Sequence, residues 1–183
     1  MFKRPLTAFV AICFAAGVMA APQPLRADEH KEYLVKAAFI YNFVKFVEWP
    51  GAKAIQQQSK IDICVLGDSD LAAAKEVFRA ASTARQTLSI VQEPDAKNIT
   101  KHCHIVFIGK SENAQIGEIM TLLKGSPVLT VSDIDGFAES GGMIGFVTSD
   151  NKVKVEVNTK AASAAGLRVD AQLLEIAVKV VDR

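Results

Sequence analysis

Ile61-Asp62-Ile63-Cys64-Val65-Leu66, then Gly67-Asp68-Ser69-Asp70, then Leu71 to Ala81 decide the fold. The first six residues are apolar enough for a strand buried on both faces. The next four supply turn and helix N-cap residues, and the last stretch reads as a helix. The same grammar recurs downstream. Leu88 to Val91 is a short strand closed by Pro94, and His102 to Ile108 is another. Gly109-Lys110-Ser111 leads into a helix over Glu112 to Lys124, and Gly125-Ser126-Pro127 precedes a strand at Val128 to Val131. Strands alternating with helices imply parallel pairing through right-handed crossovers. The expected fold is therefore α/β: a three-layer sandwich around a mostly parallel sheet, Rossmann-like or like half a solute-binding protein.

Beyond Ser132 the pattern changes to an antiparallel hairpin, with Met143 to Thr148 and Lys152 to Val157 flanking Ser149-Asp150-Asn151. In its second strand Val153, Val155 and Val157 alternate with Lys152, Lys154 and Glu156, giving one buried and one wet face. Asn158-Thr159 caps a short alanine-rich helix ending at Gly166, and a last helix is expected over Asp170 to Val181. Upstream, Glu32 to Trp49 reads as a helix stopped by Pro50-Gly51. It concentrates Phe39, Tyr41, Phe43, Phe46 and Trp49, mostly as core, with part of the helix a candidate contact surface. Ala52 to Lys60 reads as a linker.

Residues 1–27 are expected to be an address rather than part of the fold. Lys3 and Arg4 precede a 16-residue uncharged run from Leu6 to Ala21, with Val18 and Ala20 where a signal peptidase reads. Cleavage after Ala20 or Ala27 leaves a single domain from about residue 28 to 183, exported to the periplasm. The run is short against the roughly 20 residues of a spanning helix, the alternative being a retained anchor.

The full chain of 183 residues has 21 Lys+Arg, 20 Asp+Glu and 50% hydrophobic residues. Removing Lys3, Arg4 and Arg26 leaves 18 basic against 20 acidic residues, a net charge of −2. Such a balance argues against nucleic-acid binding and against disorder. Loss of Cys13 leaves Cys64 and Cys103, each in a strand-like apolar run. In an exported chain they are expected to be paired, the alternative being two buried free thiols.

Candidate chemistry is sparse. Gly67-Asp68-Ser69-Asp70 lacks the three-glycine dinucleotide fingerprint and the P-loop lysine, and its aspartates repel phosphate. His102-Cys103-His104, read as strand, puts both histidines on one side and the cysteine on the other, which is a poor metal site. Ser140-Gly141-Gly142-Met143 is not a nucleophile elbow. Asp133, Asp135, Glu139 and Asp150 fall in turns, where acids are normally solvated. No cofactor, metal or enzymatic activity is expected.

Two stretches carry a resemblance. Lys36-Ala37-Ala38-Phe39-Ile40-Tyr41-Asn42-Phe43-Val44-Lys45-Phe46-Val47-Glu48-Trp49-Pro50 resembles the opening signature of the YfiR family of periplasmic regulators. Gly136-Phe137, Gly141-Gly142-Met143-Ile144-Gly145-Phe146, Val155-Glu156-Val157-Asn158, Gly166-Leu167 and Leu173-Leu174 resemble its second half. The resemblance spans about Tyr33 to Val181. It implies a non-enzymatic, homodimeric protein that represses an inner-membrane diguanylate cyclase of the YfiN type by contact, lowering cyclic-di-GMP and biofilm. An outer-membrane lipoprotein of the YfiB type would sequester it. The resemblance also implies partner binding through Phe146, Glu156 and Ala162, small-ligand binding at Arg168, and a family cysteine pair at Cys64 and Cys103. The best-known relatives carry a second pair where this chain has Ala138 and Gly145. The alternative function is a periplasmic small-ligand-binding sensor, resembling half a solute-binding protein.

Overall fold

The long apolar stripe Tyr33, Ala37, Ile40, Val44, with steps of three and four, builds helix α1 (Pro24–Phe46) and turns that stripe inward. The computed structural model describes residues 24–51 and 58–182. The leader expectation falls mainly on residues 1–23, outside the described residues; residues 24–27 form the first turn of α1. Most of the expected 52–60 linker also lies outside them, and Lys60 already belongs to a strand.

Helix α1 stops at Phe46, earlier than the expected Trp49. Pro50 disfavours helical geometry at Trp49. Val47 and Glu48 instead extend as β1 (Val47–Glu48) and pair antiparallel with β8 (Arg168–Val169), while the Asp170 N–H caps the Phe46 carbonyl at 2.8 Å.

The main sheet has seven strands in the order β3-β2-β4-β5-β6-β7-β9. These are β2 (Lys60–Leu66), β3 (Thr87–Gln92), β4 (Ile105–Ile108), β5 (Leu129–Ser132), β6 (Ile144–Ser149), β7 (Lys152–Asn158) and β9 (Lys179–Val181). The first five in spatial order pair in parallel, then β7 turns back against β6 and β9 runs alongside β7. The expected hairpin is thus an integral part of the sheet. Its two-residue turn puts Asp150 and Asn151 at φ 52° and 56°, the left-handed geometry that matches strand twist.

Two cores flank this sheet. On one face Ile61, Ile63, Val65, Phe107, Val131, Phe146 and Val157 pack against α1 and α2 (Lys75–Ala81). On the other, Cys64, Leu66, Val106 and Ile108 pack against α3 (Ala96–His102) and α4 (Ile116–Leu123). The three-layer α/β expectation is met.

The chain departs from the sequence reading in three further places. Helix α3 occupies a polar stretch with Ile99 as its buried residue, so periodicity gave no signal; Asp95 caps it by accepting from Lys97 N–H. Its presence shortens the third expected strand to Ile105–Ile108. The last expected helix is split into α6 (Ala171–Ile176) and β9. Ala177 is extended, Val178 N–H donates to the Val155 carbonyl, and the valines that follow favour a strand edge. Finally, the helices after β2 and β4 begin as 3-10 turns at Asp70–Ala74 and Lys110–Gln115. Between β7 and β8 lies α5 (Thr159–Ala164), with Asn158 as its N-cap.

Candidate functional site

A lysine in the middle of an apolar helical stripe needs a partner, and Lys36 finds one across the fold. Its side chain is 2% exposed and its Nζ lies 2.6 Å from Asp133 Oδ2 and 2.7 Å from Glu32 Oε1. The ammonium also sits 4.3 Å over the Tyr33 ring, while the Tyr33 hydroxyl donates to Asp133 Oδ2 at 3.0 Å. Tyr33 meets Phe107 of β4 edge-on. Asp133 is 4% exposed, against the expectation of a solvated turn acid; Asp135, Glu139 and Asp150 are exposed as expected. Burial alone would raise the Glu32 pKa, but the hydrogen bond and charge of Lys36, the Thr148 hydroxyl and the field of Lys110 outweigh it and hold that carboxyl below its ordinary value. The position of Lys36 between Tyr33 and Ala37 was the signal available in the sequence.

Asp133 opens a loop that returns to the sheet at Met143. Ser132 Oγ donates to the Ile108 carbonyl at 2.7 Å and accepts from Ile134 N–H at 3.0 Å. Met143 N–H donates to Thr130 Oγ1, and the Asn158 side chain donates to the Ala138 carbonyl at 2.8 Å while accepting from Ala161 N–H. A Cβ on Gly142 would sit 2.2 Å from the Phe137 ring, so only glycine lets that ring pack. One buried asparagine therefore ties the loop to the start of α5.

Around this loop the structure separates the three expected partner-binding residues. Glu156 on β7 is half-buried, faces Gly145 across the β6–β7 pair, and neighbours an ion pair between Lys179 and Glu139. Phe146 is 2% exposed and stacks 6.0 Å from Phe43, and Ala162 is 1% exposed. Their side chains are core and present no surface; strand alternation puts Phe146 on the α1 side of the sheet, opposite to Glu156. Phe43 of α1 and Trp49 beyond β1 are likewise core, and among the described residues of α1 the exposed large apolar side chains are Leu34 and Val35.

Ala138 and Gly145, which the resemblance matches to a second cysteine pair, stand together. A Cβ built on Gly145 would lie 3.7 Å from the Ala138 Cβ, close to the separation of about 3.8 Å in disulfides. The double variant A138C/G145C is expected to form a bond on oxidation and to gain about 2 kcal/mol by short-loop closure. Thiol counting and urea titration check this; two free thiols in the oxidised, folded variant would refute it.

Arg168 lies in β8, where Nε (3.0 Å) and Nη2 (2.5 Å) both reach Glu48 Oε2 on β1. Both side chains are mostly exposed, so the pair adds little stability. A ligand at Arg168 would have to compete with Glu48.

Cys64 and Cys103 form a disulfide, their Cα atoms 5.9 Å apart. Cys64 is in β2, and Cys103 caps the C-terminus of α3 just before β4. The expected strand alternation of His102-Cys103-His104 does not occur, because His102 ends a helix. His104 is buried, accepts from Asp62 N–H through Nδ1, and offers its carbonyl to the Trp49 indole N–H.

These features define a class: an α/β domain whose conspicuous polar groups serve architecture, namely a buried ion pair, a disulfide and a loop built on glycines. Among the described residues no helix is long and apolar enough to cross a membrane. Residues 33–178 match the YfiR/HmsC-like family model, and the chain belongs to that family, whose members are periplasmic regulators of diguanylate cyclase signalling. Solved structures share the fold at low identity. An ABC domain from Streptococcus pneumoniae in complex with L-Trp matches with a TM-score of 0.50 and 15% identity over 66% of this chain and 55% of that one. A conserved domain protein from Vibrio cholerae matches with a TM-score of 0.51 and 8% identity over 81% and 60%. The chain thus spans somewhat over half the length of each.

Proposed function

We propose that this protein is an exported periplasmic repressor that binds the periplasmic portion of an inner-membrane diguanylate cyclase of the YfiN type, lowering cyclic-di-GMP and biofilm formation. A YfiB-type outer-membrane lipoprotein would relieve the repression. The reading is supported most by the way the opening signature stretch is tied to the loop that carries the start of the second. The opening helix is bolted through Lys36 to Asp133, at the head of the loop that leads into the Glu156 face. A binding module needs such a rigid platform: interactions across a surface gain when its side chains are fixed before binding. Signal-peptide features at Lys3, Arg4 and the run to Ala21 support export.

Deleting the gene is expected to raise cellular cyclic-di-GMP and biofilm in a strain with an intact cognate cyclase; unchanged levels would overturn the proposal. Within the protein, Glu156→Lys is expected to reduce capture of the cyclase's periplasmic portion at least tenfold, with the melting temperature nearly unchanged. Its carboxylate is half-buried on the polar side of β7, and reversing a rim charge acts on association more than on folding. Equal capture by wild type and variant would remove Glu156 from the interface. If the protein were instead a small-ligand sensor, Arg168→Ala would abolish a ligand-induced rise in melting temperature and leave cyclase capture intact.

A further inference from the structure

We infer that the corner formed by Cys64, His102 and Cys103 is a zinc site in the dithiol state of the protein, closed by the disulfide and opened by its reduction. The ligand atoms of the three residues all lie within 4.8 Å of one another. A tetrahedral zinc ion with bonds of about 2.3 Å to sulfur and 2.0 Å to nitrogen holds its ligands roughly 3.5–3.8 Å apart. Separating the two sulfurs and drawing in the imidazole are side-chain rotations, because the backbone already brings the three residues to one point.

The tertiary structure creates this convergence. Because α3 ends at His102 and Cys103 caps it, the two neighbouring side chains both reach towards Cys64 instead of alternating. The histidine is also backed by a carboxylate. Glu93 Oε2 is 3.5 Å from His102 Nε2, and its Oε1 accepts from Asp95 N–H at 3.1 Å, which fixes the group in place. Metal-ligating histidines are usually oriented by a nearby carboxylate, and Glu93 is placed to take that part. Both cysteines are fully buried, whereas the His102 side chain is 40% exposed, so the imidazole marks the side from which an ion enters. The fourth position is left to water.

The chemistry balances simply. A dithiol reductant delivers two electrons and two protons, is itself oxidised to a disulfide, and leaves Cys64 and Cys103 as thiols. Zinc then displaces two thiol protons to form two Zn–S bonds. The site is separate from the Glu156 face and does not rest on the repressor reading.

The test uses the mature protein, oxidised and reduced, under anaerobic conditions. Cobalt(II) as a spectroscopic stand-in is expected to give thiolate charge-transfer and tetrahedral d–d bands at one equivalent per chain in reduced protein, and none in oxidised protein. Zinc should displace it and raise the melting temperature of the reduced form only. His102→Ala should weaken zinc binding more than tenfold, and Glu93→Gln by roughly tenfold. Absent bands in reduced protein that circular dichroism shows to be folded would overturn the inference. So would full affinity in His102→Ala, or a reduced chain that stays unfolded when zinc is present.

Discussion

Lys36→Ala is expected to lower the free energy of unfolding by about 3–5 kcal/mol, the usual cost of leaving a buried charge without its counter-charge. Among the described residues Lys36 is the cation bound to Asp133, which then keeps only the Tyr33 hydroxyl. The reciprocal change should cost less. In Asp133→Asn the lysine still has Glu32 at 2.7 Å, and Glu32 is partly open to solvent. A double replacement, Lys36→Met with Asp133→Leu, should recover much of the loss, because well-packed hydrocarbon of similar volume often matches a buried ion pair. Urea titration of the three variants checks the order. A loss below about 1 kcal/mol for Lys36→Ala would show that the pair is not the bolt described above. The same titration has a pH signature. The Glu32 carboxyl is held below its ordinary value, so its contribution is present above the unfolded pKa and is lost as pH falls through the folded one. Lys36→Ala should flatten that acid-side loss.

Removing the disulfide is the second large effect. Replacing Cys64 and Cys103 together by alanine should cost about 4 kcal/mol, given the 39-residue separation that the bond closes. Both residues are fully buried between the sheet and the α3–α4 layer, so the small side chains also leave a little unfilled volume. Equilibrium unfolding of oxidised wild type against the double variant measures it, and equal stabilities would refute the loop-closure account. The effect is also a lever on the zinc corner, since reduction loosens the same segment that the metal would tighten.

The sheet was legible because its strands are long in apolar, β-branched residues and separated by turn chemistry at Gly67, Gly109 and Gly125. The hairpin was legible in the alternation from Lys152 to Val157. Helix α3 was not, because Ile99 alone cannot set a period among polar neighbours. Strand β9 was not, because Val178, Val180 and Val181 satisfy a helical stripe and a strand edge equally well, and only pairing with β7 decides between them. Of the candidate site, Glu156 was legible as a position on the polar side of an alternating strand, and the structure half-buries it. Phe146 and Ala162 carried a family resemblance but no information on depth, and depth places both beneath the surface.

The sequence by itself determined the alternation of strands and helices, the hairpin, the cysteine content and the family, since each is written in local pattern. Only the tertiary structure decided that Lys36 meets Asp133 across 97 residues and that His102 turns towards Cys64. It also brought Ala138 beside Gly145. The reason is physical: local pattern fixes which face of an element is apolar, while the partner of a buried charge or sulfur depends on which strands lie side by side once the core has closed.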